Sequence, residues 1–290
     1  MTDYDLGGDV RPQRRQIRRE LTQTPLARRH ELVVRGRERR GVTIPWSRFD
    51  RARHPAPALA LAAHAQRSLA AGEYNAITLF ARIASAMALH GAPIDLVTAA
   101  AHVPGDEARH ADLAMRMAAL LADDDGAIVV DQLALEGQWS QAPSIEELDA
   151  AMTEIAAIGE TLAAALLTGC KRRASDPVAK GVFSALVADE IHHARLGWYY
   201  LTWRSPQWTR AERRRVADRA AGVVVDVERR FFRGRDAPAG SERAARALGV
   251  LDSAAQQEIV RQVMEDEIVP ALDALGLGAT HAWQKRRRAR

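Results

Sequence analysis

The chain has 290 residues, 47% of them apolar and only 5% aromatic, with one cysteine (Cys170) and a net charge of +4. This length can bury a real core, and the alanine-rich balance favours closely packed helices over sheets. A lone cysteine excludes an internal disulfide framework and fits a reducing cytoplasm, and no apolar run approaches the ~18 residues of a membrane span.

The opening Met-Thr-Asp-Tyr-Asp has no apolar signal core, so a cytoplasmic location is expected. Charge is uneven. Residues 1–54 carry 14 Arg against 7 acids, a net of +7, and residues 285–290 add +5, leaving 55–284 at −8. Basic ends on an acidic body could hold nucleic acid or an acidic partner. Arginine outnumbers lysine 38 to 3, however, which reads as compositional bias and argues against a nucleic-acid partner.

Residues 1–54 read as an extended basic arm, with a short basic helix near 13–20 and Pro45-Trp46 as a docking point. From Pro57 the pattern is helical. A first long helix is expected over 58–91, stopped by Gly91 and Pro93, and a second over 95–122, broken by Asp123-Asp124-Asp125-Gly126. Residues 126–143 form the longest connection. Within it Ala127-Ile128-Val129-Val130 could be a strand, but no neighbouring segment offers it a partner. A third helix starts at Ser144, whose spacing to Glu147 makes a capping box, and runs to about Arg173. Asp176-Pro177 opens a fourth helix that ends at Ser205-Pro206. A fifth is capped by Thr209 and Glu212 and reaches about Arg233, and a sixth spans 252–275 with an interruption at Pro270. The expected units are the arm, 1–54; a helical bundle, 55–205; added C-terminal helices packing on it, 206–280; and a basic tail, 281–290.

Two segments share a pattern, Asp106-Glu107-Ala108-Arg109-His110 and Asp189-Glu190-Ile191-His192-His193. Residues three apart lie on one helix face, so each Glu and its His can grip the same metal ion. The other helix of each hairpin supplies a matching carboxylate. Glu73 precedes Glu107 by 34 residues and Glu160 precedes Glu190 by 30, which puts each pair at one depth across its turn. Both Glu73 and Glu160 follow a glycine, so the halves echo each other as Gly-Glu then Asp-Glu-x-x-His. Their neighbours are apolar, and a carboxylate on an apolar stripe needs a partner or it neutralises. His192 lies about 100° from His193 around the helix and reads as a surface residue. Pro104 removes a helix hydrogen bond two residues before Asp106, so a kink or bulge beside the metals is expected there. The small residues Ala156, Ala157, Ala163 and Ala164 near Glu160 leave room for a cavity, or else serve close helix packing.

On these motifs, residues 60–205 resemble the ferritin-like di-iron carboxylate superfamily. The resemblance implies an all-α fold: a ferritin-like four-helix bundle with one long crossover, plus C-terminal helices and the basic arm. It also implies one Glu from each of two helices and a Glu-x-x-His from each of the other two. Carried over by position, Glu73 and Glu160 are mainly terminal or flexible ligands, Glu107 and Glu190 bridge two metal ions, and His110 and His193 each complete one site. In relatives the acid before the bridging Glu reaches the histidine of the other half, so Asp106 is expected to orient His193 and Asp189 to orient His110. Four carboxylates balance two divalent cations, and the oxygen-rich donor set suits two iron ions, with manganese or a mixed manganese–iron pair as the alternative.

The size and added helices are similar to the p-aminobenzoate N-oxygenase branch. That branch has a further histidine ligand four residues before the second bridging Glu, where this chain has Leu186, so N-oxygenation does not carry over. The function implied is an O2-dependent oxidoreductase acting on a small-molecule substrate, with an external electron donor because no flavin or nicotinamide fingerprint is visible. A homodimer is compatible with this. The alternatives are a ferroxidase, iron-handling or peroxide-scavenging protein, a tRNA hydroxylase using the basic ends, and a bundle kept only as an interaction scaffold.

Overall fold

The computed structural model describes residues 14–17, 43–131, 143–232 and 243–285. The fold is all-α. Its first long helix, α1, covers Ala56–Leu89 and starts with proline in the first turn, where a missing N–H costs nothing. It stops at Gly91, which adopts φ 68° while Ala92 N–H bonds back to the Met87 carbonyl at 2.9 Å. α2 covers Ile94–Ala122 and ends on Asp123 in the left-handed region. α3 covers Ile145–Arg173, opened by the reciprocal Ser144–Glu147 capping box. α4 covers Pro177–Arg204, with the Asp176 carboxylate accepting from the Val178 and Ala179 N–H groups. α5 covers Arg210–Phe232; α6, Ser253–Val263; α7, Val269–Ala274; and α8, Ala279–Lys285.

α1 packs along α2, α3 along α4, and the two hairpins meet where α2 touches α4. Buried stripes hold them: Phe80, Ile83 and Met87 on α1, Leu113, Met117 and Leu121 on α2, Met152 and Ile158 on α3, Leu186 and Tyr200 on α4. Each large side chain contributes about 1.5–3 kcal/mol by leaving water. α6 lies on α3, and α5 contacts both α3 and α8. Ahead of α1, Ile44 and Pro45 lie against Gly181 of α4, and a Cβ there would come 3.3 Å from Pro45 Cδ.

Three expectations change. Arg14–Ile17, expected as part of a basic helix, is a strand (β1). It pairs antiparallel with Ile128–Asp131 (β2), Arg14 opposite Asp131 and Ile17 opposite Ile128. The strand without a neighbour in sequence therefore finds one more than a hundred residues away. Second, α2 stays α-helical through Pro104. A π segment occurs on α3, where Met152–Gly159 is π-helical and ends directly before Glu160. Another π segment, Met264–Ile268, joins α6 to α7 just before Pro270, which supplies no N–H to continue the ladder. Third, α3 is by length and composition apolar enough to cross a membrane, although half of its most apolar window is buried inside the protein.

Candidate metal centre

The midpoints of α2 and α4 face each other, and one turn of each helix presents a glutamate and a histidine inward. Glu107, His110, Glu190 and His193 are all at most 2% exposed. One potential ligand atom from each lies within 4.8 Å of all the others. His110 Nδ1 is 3.0 Å from Glu190 Oε1 and 3.5 Å from Glu107 Oε2. His193 Nδ1 mirrors it, 3.2 Å from Glu107 Oε1 and 3.6 Å from Glu190 Oε2. The two rings sit 5.6 Å apart, and Phe80 covers His193 from α1 at 6.2 Å.

These short approaches are not hydrogen bonds. Among the described residues His110 Nδ1, His193 Nδ1, Glu107 Oε2 and Glu190 Oε2 are buried with no hydrogen-bond partner, which costs about 1–3 kcal/mol each if nothing else meets them. Atoms that converge in this way could hold a common ion, since neighbouring ligand atoms about 2.0–2.2 Å from a metal lie roughly 3 Å apart. The outer ring nitrogens are held across the halves. His110 Nε2 is 3.3 Å from Asp189 Oδ2, and His193 Nε2 is 3.3 Å from Asp106 Oδ2. With the Nε2 proton held there, each Nδ1 would turn its lone pair to an ion bound at the centre once its own proton is displaced.

Glu73 and Glu160 enter from α1 and α3 and keep part of their surface exposed. Burial and the adjacent Glu107 carboxylate push the Glu73 carboxyl well above its ordinary range. Burial and the Glu190 and Glu107 charges do the same to Glu160. Burial would also raise Glu107, but the imidazoles of His110 and His193 outweigh it and bring it down to about 2. Glu190 is lowered for the same reason. Burial would depress both histidines, but the carboxylates around them raise His110 well above its usual value and His193 to about 10. The six expected ligand residues thus form one electrostatic cluster, compact at its four buried members and more accessible on the α1–α3 side.

Arg109 is a member that motif reading passed over. It is 4% exposed and Nη1 donates to Asp189 Oδ2 at 2.8 Å, the oxygen that faces His110. The only hint in sequence is its place inside Asp-Glu-x-Arg-His, where the second half has His192; that residue is exposed, as expected. The small residues near Glu160 divide in two. Ala156 and Ala157 are fully buried under α4, where a Cβ on Gly197 would come 2.3 Å from their backbone, so they serve close packing. Ala164 lines a cavity of about 490 Å³ with Thr161, Ile191, Ala194 and Trp198, beside the turns that carry Glu160 and Glu190.

Fold and site together define a helical protein with a buried glutamate–histidine cluster able to hold metal. Comparison with known proteins adds no relative: no protein-family model, curated protein or solved structure matches the chain.

Proposed function

We propose that the protein is a non-haem dimetal oxidoreductase, di-iron in use, that activates O2 to oxygenate or oxidise a small organic molecule. The two hairpins joined through residues 123–144 are read as a ferritin-like bundle with a long crossover. The observation that carries the proposal is the pair of buried Glu-x-x-His turns whose Nδ1 and carboxylate atoms converge without hydrogen bonding. Glu73 and Glu160 complete a set of four carboxylates and two imidazoles, which two divalent ions neutralise. Oxygen-rich ligation with two nitrogens favours iron or manganese.

When bound, a pair of ferrous ions supplies electrons to O2. The chain's own residues set the conditions. Asp106 and Asp189 fix the imidazoles, and Phe80 and the α2–α4 contact exclude water on one side. Glu73 and Glu160 hold protons in the metal-free state and release them when an ion replaces them. The cavity between α3, α4 and α6, lined by Thr161 and Ile191 next in chain to Glu160 and Glu190, offers room for a small-molecule substrate, and the electrons needed for turnover come from an external donor.

Anaerobic titration with ferrous iron is expected to load two ions per chain, and Glu107→Ala to lose at least one of them. After O2 is added, one oxidation followed by a stall until reductant and substrate arrive fits an oxygenase. Repeated oxidation of iron to mineral favours the ferroxidase reading. Uptake of less than one ion per chain, unchanged by Glu107→Ala, sinks both.

A further inference from the structure

The cavity of about 490 Å³ between α3, α4 and α6 differs from a smaller one between α3 and α5 in the state of its charges. In the smaller cavity Glu146 pairs with Arg215, and Glu212 pairs with Arg204. Around the larger one stand Arg172, Arg195, Asp266 and Glu267, none of which has an ion-pair partner among the described residues. Neighbours just outside it do pair, Arg173 with Asp252 and Arg261 with Glu258. Solvation alone accounts for a single unpaired surface charge. It does not account for the order of these four along the cavity.

That order follows from the register of the three helices. Trp198 Nε1 donates to Thr161 Oγ1 at 3.0 Å, which sets Trp198 of α4 level with the first residue of the α3 wall. Arg195 lies one turn back along α4, on the side toward Arg172, because the two helices of the hairpin run in opposite directions. Arg172 stands eleven residues after Thr161, about 16 Å of helix. At that far end Arg173 lies 3.8 Å from Asp252, and a Cβ on Gly169 would come 2.4 Å from Ile259 Cδ1. α6 therefore runs back along α3 and carries Asp266 and Glu267 to the Thr161–Trp198 end. One end of the cavity holds two carboxylates beside an indole, and both guanidinium groups lie toward the other. Ala164, Ala165, Ile191, Ile259 and Val263 form apolar walls between them.

Carboxylates with an aromatic face attract an ammonium group, and guanidinium groups take a carboxylate. The separation of the ends, even shortened by the reach of long side chains, exceeds the charge spacing of an α-amino acid. We propose that this cavity binds an ω-amino acid: a carboxylate at one end, a protonated alkylamine at the other and an aliphatic stem between. Arg172 and Arg195 take the carboxylate, while Asp266, Glu267 and the Trp198 ring take the ammonium group. The apolar walls cover the stem, and two charges of each sign match a zwitterion. As the substrate site of the oxidoreductase the cavity rests on the dimetal reading above; as a binding site it needs no metal.

Isothermal titration calorimetry of the full chain with 4-aminobutanoate, 6-aminohexanoate and 8-aminooctanoate tests this. At least one is expected to bind about tenfold or more tightly than the plain acid or the plain amine of the same length, each of which lacks one charged end. The aryl amine of 4-aminobenzoate is uncharged at neutral pH, so that compound should bind no better than benzoate. Arg172→Gln should erase the advantage over the plain amine. The double variant Asp266→Asn with Glu267→Gln should erase the advantage over the plain acid. These side chains are exposed, so both variants should keep wild-type helicity by circular dichroism. Binding by none of the three up to about 10 mM, equal binding of a one-ended analogue, or an affinity indifferent to both variants overturns the proposal. Metal uptake on the same preparations tests the dimetal reading by itself, so the two failures are distinguishable.

Discussion

At the residue scale, the centre depends on which atoms are already engaged. Each histidine spends its Nε2 on an aspartate from the opposite half and has only Nδ1 left for the interior. Replacing the aspartate by asparagine keeps the shape but removes the charge that makes the imidazole a strong ligand. Asp189→Asn or Asp106→Asn is therefore expected to weaken metal binding by about 10–100-fold with little change in helicity. Competitive titration against a chromophoric chelator measures this, and an unchanged affinity removes the aspartates from the site. Arg109 belongs with Asp189, since its guanidinium is buried and donates to that carboxylate. Its loss removes a charged donor from the carboxylate that orients His110.

At the element scale, the feature that matters most is the π segment Met152–Gly159. The chain of α3 is packed so closely under α4 that Gly197 meets the Ala156 and Ala157 backbone directly. A side chain at 197 must push the two helices apart, and Glu160 stands at the end of the segment it pushes. Gly197→Ala should cost about 1–3 kcal/mol in a urea melt, as overpacking does elsewhere, and should weaken metal binding as well. A neutral result in both measurements means that the contact yields and does not position Glu160. At Pro104, where a kink or bulge is expected, α2 continues as α-helix through the proline with no π bulge. Proline removes one hydrogen bond but does not end a helix whose face is packed along its length.

At the scale of the whole molecule, the cluster joins two hairpins, so its protonation enters global stability. Four groups are raised in the metal-free protein: Glu73, Glu160, His110 and His193. A raised group stabilises fully below its unfolded-state value and loses that contribution as pH climbs through the folded value. For His193 the loss runs from about 6.5 to about 10, and for the two glutamates it begins near 4.5. Glu107, lowered to about 2, has the opposite sign; its contribution is present above 4.5 and is lost as pH falls toward 2. Metal-free protein should thus have its highest Tm in mild acid and a falling Tm from pH 6 to 9. With saturating manganous ion the trend should reverse over the same range, because the ion replaces the protons. Thermal melts in chelator and in metal, across that range, measure the difference. Parallel curves would mean that these groups do not bind the ion.

Much of this was legible in the sequence because it is local. Helix limits follow from proline, glycine and capping side chains within a few residues of each end, and Glu-x-x-His places two donors on one face by helix geometry alone. The repeated half-pattern and the matched hairpin distances brought Glu73 and Glu160 into the set before any coordinates. What only the tertiary structure decided was set by contacts between distant segments. Arg14–Ile17 became a strand because Ile128–Asp131 offered a partner, and backbone pairing over that distance has no local signature. The π segment reflects the close approach of Gly197 to α3, and the sites of Arg109 and Tyr200 depend on Asp189 and Asp149 reaching them from other helices. Periodicity tells which face a residue occupies, and the fold alone decides what that face meets.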